Sequence, residues 1–304
     1  MPEAGLSSFE VLIVGLVRDC GKSLAQEIKT LNSAFSAFKK VSFYLVESDS
    51  KDDSLSILAE LKSTIPNFDF TSLGELNNAI PDRIERIAYC RNVYLNYVKS
   101  STNNYDYTVV ADLDGVNKLL TKDGVATCWE RTDWDACTAN QLGPYYDVYA
   151  LRANGWVERD CWNEARSLYA SGLNPVKSWI KAIRSKQRVI QESSDWIEVK
   201  SAFGGLAIYK RESFIKGNYS TFTEDEEFVS EHVPFNLNIV EDGSKLYINP
   251  ALINFSFNEH NDFNRVSRRA KLALKYLLSL ISPSLTVRLL MPGLSAKSSP
   301  RMSL

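Results

Sequence analysis

Over its first 114 residues the chain alternates short runs rich in β-branched and aromatic residues with stretches whose apolar positions recur at helical spacing, and few architectures accept that alternation. FEVLIVGLVRDC (residues 9–20) reads as a strand and loop, followed by a helix with Leu24, Ile28, Leu31 and Phe35 on one face. VSFYLVESDS (41–50) repeats the strand, and DSLSILAELKSTI (53–65) reads as a capped helix. FDFTSLG (68–74), the helical ERIAYCRNVYLNYVKS (85–100) and YTVVADLD (107–114) complete the series. The spacing predicts an α/β fold, a mostly parallel central sheet flanked by helices on both faces. Ligands of such sheets sit beyond the carboxyl ends of the strands. Arg18-Asp19, Glu47 to Asp49 and Asp112 to Asp114 are therefore expected to converge on one edge.

Beyond Asp114 the pattern changes. TDWDACTANQLGPYYDVYALRANGW (132–156) is aromatic and irregular, as substrate-facing loops often are, and a polar helical insert is expected up to about residue 195. WIEVKSAFGGLAIYKRESF (196–214) reads as one buried strand interrupted by Gly204-Gly205, where the backbone can come close to a ligand or a neighbouring segment. EHVPFNLNIVEDGSKLYINPALINFSF (231–257) predicts a helix, a turn at Asp242-Gly243 and a last strand. TEDEEFVSEH (223–232) reads as a charged helix start.

With 44% hydrophobic and 24% charged residues in 304, the chain has material for a large core. A net charge of -2 supplies no global attraction for nucleic acid, and no nucleic-acid partner is expected. The five cysteines form no C-x-x-C pair and no zinc-type spacing with the two histidines, which fits a reducing, cytoplasmic setting. The apolar stretch near the N-terminus is too short to span a bilayer and lacks a basic leader, so it reads as a buried strand.

Asp112 and Asp114, one residue apart just past a strand, can face one hard cation where the backbone leaves its pleat. Oxygen-rich, partly hydrated sites suit Mg²⁺ or Mn²⁺, which bridge to substrate phosphates. Asp-x-Asp is also a common polar strand end, so its neighbours decide its meaning.

Those neighbours carry a resemblance. GLVRD (15–19), VESDS (46–50), IAYCRN (87–92), DLD (112–114), FGG (203–205) and SEH (230–232) follow the block order of glycosyltransferases of the GT-A fold. RIAYCRN, YYDVYALR, FGGLAIY and EHVPFN further resemble the cryptococcal capsule mannosyltransferase-like family and related bacterial enzymes. The resemblance covers residues 9 to about 260. It implies a Rossmann-like catalytic domain over 1–262, with a donor-binding half at about 9–120 and an acceptor-binding half at about 121–262.

It also implies roles. Asp112 holds donor ribose or metal, Asp114 is the direct metal ligand, and His260, in NFSFNEHNDF, is a third ligand for Mn²⁺ or Mg²⁺. Arg18, Glu47 and Asp49 contact base and ribose; Arg86 and Arg91 neutralise diphosphate charge, although a solvated helix face accounts for Arg86 equally well. Gly204 and Gly205 pass close to donor and acceptor. Glu231 is the first choice for catalytic base and Asp225 the fallback, with His232, Asp147 and Trp134 on the acceptor side. The donor is a GDP- or UDP-sugar, GDP-mannose by the family likeness alone, and the acceptor a saccharide or glycolipid in surface polysaccharide assembly. A nucleotidyltransferase is the alternative enzyme, though GLVRDCGKS matches a phosphate loop only loosely; a non-catalytic sugar- or nucleotide-binding module is the third reading.

The last forty residues differ again. Arg265, Arg268, Arg269, Lys271, Lys275 and Arg288 flank leucines at helical spacing, predicting a basic amphipathic helical tail over 263–304. Such a helix suits an anionic membrane surface, a peripheral seat, or packing against the catalytic domain.

Overall fold

The computed structural model describes residues 3–103, 105–256, 274–280 and 282. After a short helical turn α1 (Glu3–Leu6), the chain runs β1 (Glu10–Val17), α2 (Gly21–Ala34), β2 (Lys40–Glu47), α3 (Ser54–Thr64), β3 (Phe68–Ser72), α4 (Arg83–Ser100) and β4 (Tyr107–Ala111). Then come α5 (Lys122–Ala126), β5 (Ala136–Gln141), α6 (Cys161–Ala170), α7 (Pro175–Ala182), β6 (Ile197–Val199), β7 (Leu206–Lys210), α8 (Arg211–Phe214), α9 (His232–Glu241) and β8 (Leu246–Phe255).

The strands form one sheet in the order β3-β2-β1-β4-β7-β5-β8-β6. β1, β2, β3 and β4 pair in parallel, as do β5 and β8, whereas β7 and β6 run against their neighbours. Six strands therefore share one direction, the arrangement expected from alternating strand and helix. In β1, Leu12 and Val14 enter the core on one face while Val11, Ile13 and Val17 enter the core on the other. Continuous apolar sequence is what a strand covered on both faces requires.

Three local expectations are corrected. The segment 196–214 is not one interrupted strand: β6 pairs with β8 at the sheet edge, β7 lies between β4 and β5, and the glycine pair sits in the loop joining them. The acids of TEDEEF do not open a helix, because they form a turn closed by a bridge between Phe222 and Phe228, and α9 begins only at His232. The cap expected for α3 also differs: Asp53 makes no capping bond, and the Asp52 carboxylate accepts from Ser54 N at 3.0 Å instead.

Strand order reverses at β1, whose neighbours are β2 on one side and β4 on the other. The carboxyl ends of β1, β2 and β4 line a crevice at this edge, the place where open α/β sheets bind ligands. Of the basic tail, residues 274–280 form a helix; Tyr276 packs against the core, and the Asn174 side chain donates to Ser279 Oγ at 2.7 Å.

Candidate active site

The crevice is a cleft of about 310 Å³. Its walls come from the end of β1 (Leu16 to Arg18), the end of β2 (Val46, Ser48), α4 (Arg83, Arg86, Arg91), the end of β4 (Asp112 to Asp114), the 146–149 loop and the start of α9 (Ser230 to His232). A second cavity, of about 260 Å³ between Trp156, Arg188 and Ile197, is lined by the single carboxylate Glu198 and lacks this gathering of charge.

Asp112 and Asp114 both line the cleft, as their spacing suggests. Although the Asp112 side chain is 37% exposed, its carboxyl is pushed up to about 7. Burial is the main cause, and Asp114, Asp147 and Glu231 add their negative charge while Arg91 opposes them. Carboxylate oxygens crowded in this way are hard donors that a divalent cation would relieve, and the two aspartates fit it as a partial shell for a phosphate and water to complete. Among the described residues, no three of His, Cys, Asp or Glu gather as a metal cage. His260 lies outside the described residues.

Arg91 occupies the centre. Its Nε donates to Glu231 Oε1 at 2.9 Å, its Nη1 to the Tyr94 hydroxyl at 2.9 Å and its Nη2 to Asp112 Oδ1 at 3.4 Å. The guanidinium also lies 5.2 Å from the Phe203 ring centre and 5.8 Å from that of Tyr219. α4 delivers it there because Asp82 caps the first turn by accepting from Ile84 N and Glu85 N, and the buried face of the helix includes Arg86, Cys90, Arg91 and Tyr94.

Glu231 is 5% exposed and stands at the N-cap position of α9 without a side-chain capping bond. His232 stacks on Phe203 with ring centres 3.9 Å apart, and neither of its ring nitrogens has a hydrogen-bond partner among the described residues. Burial, reinforced by Arg91, holds this imidazole well below its usual value and therefore neutral. Both nitrogens are buried, Nε2 lying 3.6 Å from Glu231 Oε1, so the imidazole has hydrogen-bonding capacity that the fold leaves unmet.

The other expected residues divide. Arg18 lines the cleft, its side chain 43% exposed. Asp147 lines it too, but its carboxylate accepts from Gly204 N at 3.0 Å and Ala150 N at 3.4 Å. Glu47 and Asp49 turn away from it: Glu47 accepts from Ser50 N and the Ser72 hydroxyl, and Asp49 accepts from Leu76 N and Asn77 N while pairing with Arg86 at 3.5 Å. Both brace the loop after β2. Arg86 reaches the cleft wall, yet its Nη1 donates to the carbonyls of Ile80 and Pro81.

Gly204 and Gly205 lie beneath the cleft, packed against the chain and absent from its lining. Their φ angles are +69° and +87°, and a Cβ on Gly204 would come within 2.7 Å of the Ala139 carbonyl. Trp134 belongs to the core: it is 2% exposed, enclosed by Tyr107 and Trp129, and has no face for an acceptor. Asp225 is exposed on the 223–228 turn and lines neither cavity. Arg83 was missing from the sequence-derived set; it is exposed on the cleft wall in the first turn of α4, and its place directly after the Asp82 cap was the available signal.

No family model matches this chain, and no curated protein matches it. Among solved structures, it is similar to S. aureus TarS 1-349 (10% identity, TM-score 0.46, covering 90% of this chain and 66% of that one). It is similar also to the mannosyltransferase PcManGT from Pyrobaculum calidifontis in complex with GDP-Man and Mn²⁺ (13%, 0.47, 96% and 66%). A third is glucosyl-3-phosphoglycerate synthase from Mycobacterium tuberculosis in complex with UDP (12%, 0.39, 93% and 82%). The chain thus spans just under two thirds of the first two structures.

Proposed function

We infer that this chain is a glycosyltransferase of the GT-A type, which moves a hexose from a nucleoside diphosphate to a hydroxyl of a saccharide or lipid-linked saccharide. The observation that carries the reading is the gathering of three carboxylates in one cleft, Asp112 with Asp114 and Glu231 beside the buried imidazole of His232, at the point where strand order reverses.

The donor side is the end of β1 and β4. Arg18 and Arg83 are the exposed cations there and suit the diphosphate, because Arg86 and Arg91 already spend their nitrogens on internal partners. A divalent cation held by Asp114 and Asp112 would supply neutralising charge to the leaving diphosphate. On the acceptor side His232 takes or gives a hydrogen bond to a sugar hydroxyl, and the Glu231 carboxylate receives the proton of the attacking one. As the new oxygen–carbon bond forms at the anomeric centre, the bond to the diphosphate breaks and its electron pair leaves with the phosphate. Inversion follows from that direct attack. A guanine base and a mannosyl group are the specific donor expected from the family resemblance, and surface polysaccharide or glycolipid assembly the pathway.

A peripheral seat on an anionic membrane fits a lipid-linked acceptor. It rests on Leu274, Leu277, Leu278 and Leu280, each more than 40% exposed on the 274–280 helix. Among the described residues, no helix is long and apolar enough to cross a membrane.

The deciding experiment is a thermal-shift screen against UDP-, GDP-, CMP- and dTDP-sugars, each with and without Mn²⁺. A ligand that binds the native state raises the melting temperature, so one nucleotide class shifting it in a Mn²⁺-dependent way is the expected result. No shift with any donor would sink the transferase reading.

A further inference from the structure

We propose that Arg91 is a positioning residue: its guanidinium ties the donor-side carboxylate of Asp112 to the acceptor-side carboxylate of Glu231 and sets the direction in which Glu231 faces the attacking hydroxyl. The inference rests on the transferase reading and departs from the phosphate-neutralising role that the sequence suggests for this arginine.

A phosphate clamp needs a guanidinium with an open edge. Arg91 has its Nε on Glu231, Nη1 on Tyr94 and Nη2 on Asp112, and its side chain is 6% exposed between the rings of Phe203 and Tyr219. Tyr94 itself donates to the Tyr219 hydroxyl at 3.1 Å, so the arginine is held on its edges and its faces at once. A planar fork held this way allows Glu231 little rotation without breaking the 2.9 Å bond. The two carboxylates are not held equally, since the contact to Asp112 is the longer one at 3.4 Å and its side chain is open to the cleft. Charge arriving at Asp112 competes with Arg91 for that carboxylate, while the bond to Glu231 stays. Binding at the donor end is in this way felt at the acceptor end through a single side chain.

The group acts through Glu231, and that is what distinguishes it from a structural cation. The test uses the full chain with R91K, R91M, E231Q and the double variant R91M/E231Q. Nucleoside diphosphate release is followed from UDP-glucose, UDP-N-acetylglucosamine and GDP-mannose with Mn²⁺ and a panel of monosaccharide acceptors. R91K keeps the charge, loses the fork, and carries the test should R91M fail to fold. Expected are a kcat for R91K lowered about 100-fold with donor KM within about threefold, the size of loss that misplacing a reacting group causes. E231Q and R91M/E231Q should share one residual rate, because a residue that works through Glu231 has nothing left to position once the carboxylate is gone.

Losses that multiply in the double variant would overturn the proposal, as would an R91K with raised donor KM and intact kcat, which marks a direct phosphate ligand. A wild-type chain that consumes none of the donors and is shifted by none in the thermal screen removes the transferase reading and the positioning role together. Turnover by wild type with multiplying losses removes the positioning role alone.

Discussion

Asp112 differs in its chemistry from its sequence appearance. Its usual carboxyl value of 3.8 is raised to about 7 in the fold, so the native chain keeps a proton that the unfolded chain has released. The group therefore weakens the fold as pH climbs from about 4 to about 7, and the penalty is constant above that. Asp112→Asn removes it. Without divalent cation, the melting temperature of this variant should match wild type near pH 4, rise above it through pH 7 and hold that margin at pH 8; a margin that does not change with pH would refute the account. Asp114, exposed at the cleft mouth, gives the complementary prediction: Asp114→Ala should leave melting unchanged to within a few degrees and abolish the Mn²⁺-dependent part of any nucleotide-induced shift. Glu231→Gln should retain the donor-induced shift and lower transfer by about 100-fold or more, as removal of a general base does. Full transfer by this variant would move the base elsewhere. Asp225 is not the replacement, since it sits outside the cleft. Sequence could pick out Asp112, Asp114, Glu231 and His232 because each lies at the end or start of an element that faces the sheet edge. It could not tell Arg91 from a phosphate ligand, because beside Tyr94 on its own helix the partners that occupy its nitrogens come from the end of β4 and the start of α9, 21 and 140 positions away.

Elements were legible where periodicity and tertiary demand agree. The strands and helices of the first 114 residues fall close to where apolar runs and helical spacing place them, since β1, β2 and β4 are buried on both faces and the helices on one. The 196–214 segment failed because two short apolar stretches separated by glycines look like one strand, and only pairing partners far along the chain split them. The glycines themselves serve the element boundary. Asp112 N donates to Gly205 O at 2.9 Å, and the Gln141 and Asn254 side chains donate to Gly204 O, so this loop holds the end of β4 and hence the Asp112 carboxylate in place. Gly204→Ala would force a left-handed φ and a 2.7 Å contact with a backbone carbonyl. We expect about 1–3 kcal/mol of lost stability by denaturant unfolding and a weaker donor-induced shift at temperatures where the variant is still folded. A variant with wild-type midpoint would show that the loop yields at no cost. Asp147, which the sequence suggested as a sugar contact, is spent on the same loop through its bond to Gly204 N.

At the scale of the whole molecule the charge is divided unevenly. Residues 263–304 carry eight Lys and Arg and no acid, so all 37 Asp and Glu lie before them in a chain whose net charge is only -2. On the proposed peripheral seat, a repulsive body and an attractive tail would meet an anionic surface in one orientation, tail first. The described part of that tail is oriented to match. Tyr276 and Ser279 turn toward the start of α7, with the Tyr276 ring centre 5.8 Å from Lys177 Nζ and Ser279 held by Asn174, while Leu274, Leu277 and Leu278, spaced by three and four residues, occupy the outward side. Because those leucines are 57%, 57% and 41% exposed, replacing all three by glutamate should cost the fold little. The wild-type chain should co-sediment with vesicles containing about a third anionic lipid, less so as salt rises, and stay in solution with neutral vesicles. The triple variant should remain in solution with both while keeping its donor-induced thermal shift. Equal sedimentation of variant and wild type would assign the basic residues alone to the contact, and loss of the donor shift in the variant would show instead that the helix supports the cleft through α7.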